Sequence, residues 1–302
     1  MKKNFKVLAL AGIVALGVAG SGSVYAQKKS KTTKGATPTT PTAAPAAAPK
    51  KEGIKPFSEV ITAKARTTNG LFKTHKVDDK WYFEIPDSMI NREMLVVTRL
   101  AKVPAGVKVG NQQYGGEELN EQVWKWERRG KQVYIRVPSY STKADPNSDM
   151  YESVQNSNLA QILASFEIKA YNKDTSGVVI DVTDFYNGDV MAIGATDQIR
   201  KAYKVTMYDA TRSYIDTVKT FPINVEVKTA KTYRAAESPT DNSNGAVTFE
   251  FNTSMLLLPK IPVKARIMDS RVGFFGQSQI DYGSNAQRAE RTAYIHRWIL
   301  VP

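Results

Sequence analysis

Residues 123–137 of this 302-residue chain read VWKWERRGKQVYIRV. Apolar and polar side chains alternate on either side of the polar Arg-Arg-Gly-Lys centre. Trp124 and Trp126 share one face of the first half, and Val133 and Ile135 share one face of the second. A period of two is typical of a strand with one buried face, and a short glycine-containing turn joins two such strands into a hairpin. The stretch therefore predicts a β-hairpin.

Similar alternation recurs along the chain. It predicts strands at residues 71–77, 80–85, 94–100, 166–170, 178–182, 214–220, 223–233 and 247–258, and short helices at residues 57–65, 183–187 and 196–202. Phe83 and Glu84 are predicted to point to opposite sides of strand 80–85. About ten evenly spaced strands with few helices are typical of an all-β fold. We expect a mainly β protein, an antiparallel sandwich or open barrel with a small α+β unit at its N-terminus.

The first 26 residues have the features of a secretory signal peptide. Lys2, Lys3 and Lys6 precede an apolar run at residues 7–18, and small residues lead to a cleavage site after Ala26. The run is too short to span a membrane, and the chain has no cysteine for a lipid anchor or a disulfide. We therefore expect an exported protein, periplasmic or secreted, that is neither membrane-spanning nor lipid-anchored.

Composition divides the rest of the chain into three parts. Residues 27–55 are rich in Lys, Pro, Ala and Thr and almost free of large apolar side chains, so they are predicted to be a disordered linker. Residues 56–106 are predicted to form a small α+β domain and residues 107–302 a larger β-rich domain. Overall hydrophobic content is 42%, which is enough for a core.

Net charge argues against a nucleic-acid partner. The chain carries a formal charge of +13, but residues 1–55 hold ten lysines and one acid and so contribute +9. The remaining residues carry only +4 without a run of clustered Lys or Arg. A phosphate backbone is bound by a concentrated basic patch, so nucleic-acid binding is not expected.

Motifs of common catalytic sites are missing from the sequence. Its two histidines, His75 and His296, lie far apart and in no HExxH arrangement, and neither a Gly-x-Ser-x-Gly elbow nor a Gly-x-x-x-x-Gly-Lys phosphate loop is present. Both histidines are predicted to be ordinary strand-face residues. No metal or cofactor is therefore expected in this chain.

Three other patterns have an ordinary structural explanation. Residues 172–177 resemble the beginning of a calcium loop, but Thr183 stands where such a loop needs a bidentate Glu. Asp181 and Asp184 are expected to be solvated turn acids instead of a glycosidase pair. The tryptophans are expected in the core instead of on a carbohydrate platform; they are Trp81, Trp124, Trp126 and Trp298.

The C-terminal region has the most distinctive local sequence. Residues 266–302 read RIMDSRVGFFGQSQIDYGSNAQRAERTAYIHRWILVP, in which two glycines bracket an aromatic pair between two Asp-containing turns. Glycines on both sides allow close approach of a partner. Candidate contact residues are Asp269, Arg271, Phe274, Phe275, Asp281 and Trp298.

These same residues carry a resemblance to a known family. The segments that match are Gly70-Leu-Phe72, 81–86, 94–99, Arg212-Ser213, 221–227, Ile261-Pro262-Val263, 269–275 and Tyr294-Ile-His-Arg-Trp298. Together they resemble the N-terminal non-catalytic region of secreted bacterial zinc-dependent metalloproteases, in which two domains of uncharacterised function precede a metzincin-like catalytic half. The resemblance covers nearly all of residues 56–302.

The resemblance implies an accessory role. Family members continue into a segment with the zinc-binding HExxHxxGxxH motif, whereas this chain ends at Pro302, so no catalytic residue is carried over and truncation is expected. We expect a zinc-metalloprotease accessory or pro-region with its catalytic domain in cis as the partner and a protein or peptide as substrate. Asp269 first and Asp281 second are candidates to occupy the open zinc position. The alternative is a stand-alone envelope binding module for glycan or peptide.

Overall fold

The computed structural model describes residues 53–105, 115–237, 243–271, 273, 275–285 and 287–297. In these ranges the strands are β1 Arg66–Thr68, β2 Lys73–Val77, β3 Lys80–Pro86, β4 Glu93–Lys102, β5 Glu118–Arg129, β6 Gln132–Val137, β7 Thr142–Lys143, β8 Gln161–Tyr171, β9 Gly177–Asp181, β10 Val205–Thr220, β11 Asn224–Ala235, β12 Ala246–Leu257, β13 Gly276–Asp281 and β14 Glu290–Ile295. The helices are α1 Phe57–Val60, α2 Tyr151–Ser157, α3 Thr183–Asn187 and α4 Asp197–Ala202, with 3₁₀ turns at Asp87–Met89 and Met191–Ile193. The predicted signal peptide, 1–26, and linker residues 27–52 lie outside the described residues.

The predicted hairpins are present. β5 pairs with β6 across a two-residue turn in which Gly130 has a φ of 57°, a conformation that glycine adopts without a Cβ clash. Trp124 and Trp126 are both buried on one face of β5, as the alternation predicts. β8 and β9 enclose the calcium-like turn, where the Asn172 side chain accepts a hydrogen bond from the Gly177 amide.

Eleven strands form one antiparallel sheet in the order β1-β2-β3-β9-β8-β6-β5-β4-β12-β11-β10. The mainly β prediction is therefore confirmed. The segments predicted as separate domains, 56–106 and 107–302, do not form separate sheets, because β3 pairs with β9 and β4 lies between β5 and β12.

The two ends of this sheet approach one another. The Leu71 amide donates to the Phe221 carbonyl at 2.6 Å, and the Thr220 hydroxyl donates to the Phe72 carbonyl at 3.0 Å. Gly70 is required at this contact, because a Cβ there would lie 2.4 Å from Thr220 Oγ1 and 2.6 Å from the Phe221 nitrogen. The sheet therefore curls into an open barrel, whose two ends are joined by these few hydrogen bonds instead of by a continuous strand pair.

The barrel interior is filled by side chains of the strands and of α3. Phe185 packs edge-on against Trp124 at 5.9 Å, and Tyr186 lies 5.8 Å from Phe83. Because these partners come from β5 and β3, α3 lies inside the barrel. Full burial of one large apolar side chain stabilises the fold by roughly 1.5–3 kcal/mol, so the strands and α3 depend on each other.

Helix positions partly match the prediction. α3 has the predicted bounds, and α4 begins after Thr196, whose hydroxyl accepts a hydrogen bond from the Ile199 amide. The predicted helix 57–65 is one turn, α1, which ends at Val60; the backbone leaves the helical region at Ile61. α2, in the polar stretch after β7, was not predicted. None of the helices in the described part of the chain has the length and apolar character that a membrane span requires.

A second, three-stranded sheet lies in the order β14-β13-β7. β13 and β14 form an antiparallel hairpin, and β13 pairs in parallel with β7 through Ile280 and Thr142. No residue of this sheet is fully buried. Two of its strands, β13 and β14, belong to the distinctive C-terminal region of the sequence.

Candidate functional site

Residues 259–271, here called the terminal arm, run along the small sheet. The arm contacts β14 through backbone hydrogen bonds from Ile295 to the Arg266 carbonyl, 3.1 Å, and from Met268 to the Ala293 carbonyl, 2.8 Å. Two prolines, Pro259 and Pro262, lack the amide that continued strand pairing needs. The arm is held by backbone pairing at residues 266–268 and by the Arg297 guanidinium, which donates to the Lys264 carbonyl; all its side chains are exposed.

Large apolar side chains project into solvent from this part of the chain. The exposed fraction is 87% for Ile261, 72% for Ile267 and 89% for Phe275. Val263 and Met268 of the same arm are exposed too. We call the arm together with Phe275, β13 and β14 the terminal surface. Apolar exposure on this scale within one short region is typical of an interaction site.

Asp269 and Arg271 form a closed pair within the arm. The Asp269 carboxylate accepts hydrogen bonds from the Arg271 backbone amide at 3.0 Å and from its guanidinium at 2.9 and 2.6 Å. These bonds lower the pKa of Asp269 to about 2. The carboxylate is thus ionised at neutral pH but already engaged on both oxygens.

Asp281 is held in a different place by different groups. It lies at the opposite end of β13 from Phe275, roughly 20 Å away at 3.4 Å per residue. The Gly283 amide donates to it at 2.9 Å, and Lys143 Nζ lies 3.1 Å away. The Gly283 hydrogen bond, with help from Lys143, lowers the pKa of Asp281. Lys143 also donates to the Tyr294 hydroxyl at 2.8 Å, which ties β7 to β14.

The structure therefore brings together only part of the predicted contact set. Asp269 and Arg271 are paired and Phe275 is exposed beside them in sequence, whereas Asp281 belongs to the other end of the hairpin. Phe274 and Trp298 lie outside the described residues. The expectation that an Asp of this region occupies a zinc position stays a prediction.

Charge is unevenly distributed between the barrel and the terminal surface. Residues 259–302 contain seven Lys or Arg and three Asp or Glu, a net charge of +4. Residues 56–302 as a whole also carry +4, so residues 56–258 are neutral overall. The excess positive charge of the folded part coincides with the exposed apolar side chains.

A second site, which sequence reasoning missed, lies under the N-terminal segment. A cavity of about 620 Å³ opens between α1 and the outer face of β1–β3. Inside it, His75 Nε2 lies 3.0 Å from one oxygen of Glu84, and Lys73 Nζ donates to the other at 3.0 Å. His75 and Glu84 lie on the face of β2 and β3 opposite Phe83, as the alternation predicts for Glu84, and both are buried there. α1 and its neighbours cover this face, a burial that the alternation alone does not predict.

A third polar group lies inside the barrel. Lys231 of β11 is fully buried and donates to the Gly188 carbonyl at 2.8 Å, directly after the end of α3. Burial lowers the pKa of Lys231 to about 8. The neighbouring Asp189 is engaged by the Arg200 guanidinium at 3.0 Å. A cation that satisfies carbonyls at a helix C-terminus is a structural arrangement, so we assign Lys231 to anchoring α3.

Two family models match the chain. One, described as "Domain of unknown function (DUF5117)", matches residues 116–302, and another, "Domain of unknown function (DUF5118)", matches residues 54–103. The chain belongs to the DUF5117 family. No curated protein and no solved structure matches the sequence.

The residues of the three sites fall into different family segments. His75 and Glu84 lie in the DUF5118 segment, although Lys173 of the DUF5117 segment also lines their cavity, and both Lys231 and the terminal surface lie in the DUF5117 segment. Among the described residues, no three His, Asp or Glu side chains are grouped as metal ligands. A sequence signal for the cavity was available: Lys73 and His75 share one face of β2, and Glu84 lies on β3. To place the three side chains together, however, the β2–β3 register must be known.

Proposed function

We propose that this chain is an exported accessory or pro-region of a zinc-dependent metalloprotease, without peptidase activity of its own, and that its terminal surface binds the catalytic domain. The observation that supports the proposal is the coincidence of Ile261, Ile267 and Phe275, all largely exposed, with the excess positive charge of the folded part. Zinc belongs, in this proposal, to the partner.

Exposed apolar side chains leave free energy that a partner can recover. Each large apolar side chain that becomes fully buried contributes roughly 1.5–3 kcal/mol. Ile261, Ile267 and Phe275 gain little of this free energy within the chain, because they are largely exposed and belong to no core cluster of the described residues. A partner with an apolar centre recovers that free energy on binding.

The positive charge of the terminal surface indicates which residues should surround the apolar centre of the partner. A surface with a net charge of +4 around apolar side chains complements an apolar patch with acidic residues at its edge. The resemblance of residues 56–302 to the region that precedes a metzincin-like catalytic half gives the partner its class.

The glycan-binding alternative finds less support. It relied on exposed aromatic platforms, but Trp124 and Trp126 are core residues, and Trp81 is half-buried with Lys76 Nζ 5.3 Å from its ring. A peptide-binding role at the terminal surface remains the second candidate, because exposed Phe275 suits either occupant.

Binding to a separately purified catalytic domain tests the proposal. The probe is a metalloprotease catalytic domain with the HExxHxxGxxH motif from the same organism, titrated by calorimetry. A variant with Ile261→Ser, Ile267→Ser and Phe275→Ser should bind at least about 100-fold more weakly, since three contacts of about 1 kcal/mol each are removed. Higher salt should slow association.

The chain offers a matched control. Leu159, Ile162 and Met207 are exposed to 73%, 52% and 51% but lie outside the terminal surface. Replacing all three by Ser should change the affinity by less than about threefold. Equal losses in the two triple variants, or no binding of the catalytic domain by the wild-type chain, would contradict the proposal. Binding of unstructured peptides alone would favour the alternative.

A further inference from the structure

The cavity under α1 holds a chain of hydrogen bonds that the accessory role does not use. Thr67 Oγ1 lies 2.7 Å from His75 Nδ1, and His75 Nε2 lies 3.0 Å from Glu84 Oε2. Lys73 Nζ, at 3.0 Å, occupies the other Glu84 oxygen. A hydroxyl, an imidazole and a carboxylate are thus connected in series through the two nitrogens of one ring.

The strand register produces this arrangement. Thr67 of β1 is directly opposite His75 of β2, and Glu84 of β3 is opposite Lys73, one step along the same face. Side chains directly opposite on antiparallel strands point to the same side at about 5 Å. Three adjacent strands therefore present Thr67, His75 and Glu84 in a row.

The state of Glu84 determines the direction of the hydrogen bonds. Burial alone raises the pKa of Glu84, but hydrogen bonds from His75 and Lys73 outweigh burial and hold that pKa below its usual value. An ionised carboxylate only accepts, so His75 Nε2 carries the proton that it donates to Glu84. In the neutral ring Nδ1 is then the acceptor, and the Thr67 hydroxyl donates to it.

Of the three side chains, the hydroxyl is accessible and the imidazole and carboxylate are buried, as a nucleophile with a buried base requires. Glu84 and His75 are buried, whereas Thr67 is exposed on the short strand β1 and lines the cavity. The neighbouring hydroxyl of Thr68 differs, because its partner is the Thr74 hydroxyl at 2.6 Å and no imidazole. Only one of two adjacent threonines on β1 therefore faces a base.

We propose that Thr67, His75 and Glu84 form a hydrolytic triad that cleaves esters of short acyl groups. Thr67 Oγ attacks the acyl carbon while its proton passes to His75 Nδ1, and Glu84 stabilises the resulting imidazolium. The alcohol leaves with that proton, which yields an acyl-Thr67 ester. Water, deprotonated by His75, then attacks the acyl carbon, and the carboxylic acid and the free hydroxyl are released.

The cavity walls indicate the substrate class. Phe57 and Ile61 form an apolar side, which suits a short hydrocarbon acyl group. Phe57 also packs edge-on against His75 with ring centres 6.2 Å apart, which restricts rotation of the imidazole. Lys173 lines the same cavity, and its positive charge favours the negative charge that develops on the acyl oxygen.

Hydrolysis of p-nitrophenyl acetate and p-nitrophenyl butyrate by the purified chain tests the triad. Thr67→Val, which keeps shape and removes the nucleophile, should lower kcat/KM at least about 100-fold, since a positioned nucleophile and base contribute roughly 10²–10⁴-fold. Thr67→Ser should keep activity within about tenfold of wild type. Thr68→Val is the matched control and should retain wild-type activity.

A covalent probe identifies the nucleophile independently. Diisopropyl fluorophosphate should form a phosphoester at Thr67 with loss of fluoride, located by peptide mass spectrometry, and the adduct should be absent from folded Thr67→Val. The melting temperatures of the Thr67 and Thr68 variants, measured side by side, report on folding. Wild-type turnover no faster than buffer, equal rates in Thr67→Val and Thr68→Val, or labelling at another residue would overturn the proposal.

Discussion

The barrel interior and the terminal surface are built from the same kind of strand but are stabilised differently. In the barrel, Phe83, Trp124 and Tyr186 are almost completely enclosed by other rings. On the terminal surface, Phe275 is 89% exposed and no side chain of the small sheet is fully buried. Backbone pairing is present in both regions, so side-chain burial is what separates them.

This difference shows that the chain supplies the side-chain packing of the barrel by itself but not that of the terminal surface. A strand pair without packing is marginally stable in water, since its net hydrogen-bond contribution is small. The small sheet adds only polar support, chiefly Lys143 between Asp281 and Tyr294. A surface of this kind is suited to gaining its apolar contacts from a second protein.

Truncating one phenylalanine in each region is the strongest test of this comparison. Phe83→Ala removes a fully buried ring next to Phe72 and Tyr186 and should lower the free energy of unfolding by about 3–5 kcal/mol. Phe275→Ala should change it by less than about 0.5 kcal/mol. Urea denaturation of both variants measures the two values. Similar losses would show that the terminal surface is packed in solution.

Lys231 offers a second test, through pH. Its folded-state pKa of about 8 lies below the unfolded value of about 10.4, so between these pH values the unfolded chain binds more protons and stability rises with pH. From pH 7.5 to 10 the wild type should gain about 2 kcal/mol relative to Lys231→Met. Denaturation midpoints across this range give the difference.

An exposed lysine on the same strand is the control for that experiment. Lys228→Met should follow the wild-type pH profile, because Lys228 is exposed on β11. If Lys231→Met also keeps the wild-type profile between pH 7.5 and 10, then Lys231 does not lose its proton in the folded state, and its assignment as a buried anchor with a lowered pKa fails.

The smallest expected effect is in the small sheet. Hydrogen bonding to Tyr294, together with Asp281, raises the pKa of Lys143, opposite to the shift at Lys231. Lys143→Met should speed hydrogen exchange of β13 amides by up to about fivefold, because exposed ion pairs contribute about 0.2–1 kcal/mol.

The corresponding pair in the barrel sheet provides the comparison. Lys102 Nζ lies 2.9 Å from Glu250 Oε1, but β4 and β12 are also packed on the core. Lys102→Met should therefore leave exchange of β4 amides within about twofold of wild type. Faster exchange in β4 than in β13 would reverse the order of stability that burial implies.

Local pattern predicted the elements better than their arrangement. The alternation at Trp124, Trp126, Val133 and Ile135 was sufficient for the β5–β6 hairpin, because the two strands are adjacent in sequence. The pairing of β3 with β9 is not local, and no sequence period encodes it. The chain-end candidates were predicted from turns and glycines, a pattern that does not indicate which of these residues meet.

The buried polar groups could not be predicted for a related reason. Alternation assigned Glu84 to the side opposite Phe83, which is correct, but α1 covers that side as well. Lys231 reads as one more outward lysine on a long strand until α3 is known to end beside it. In each case, burial depends on a segment distant in sequence.

The contact of Leu71 with Phe221 joins the two family segments in one folding unit. The barrel closes only when the end of β10 reaches a point 150 residues earlier in the chain, next to Gly70. Loop closure over such a distance is entropically slow, so a high contact order and slow folding follow. A chain without residues 54–103 would lack β1 to β4. Strands β9, β5 and β12 would then have unpaired edges, which are prone to aggregation.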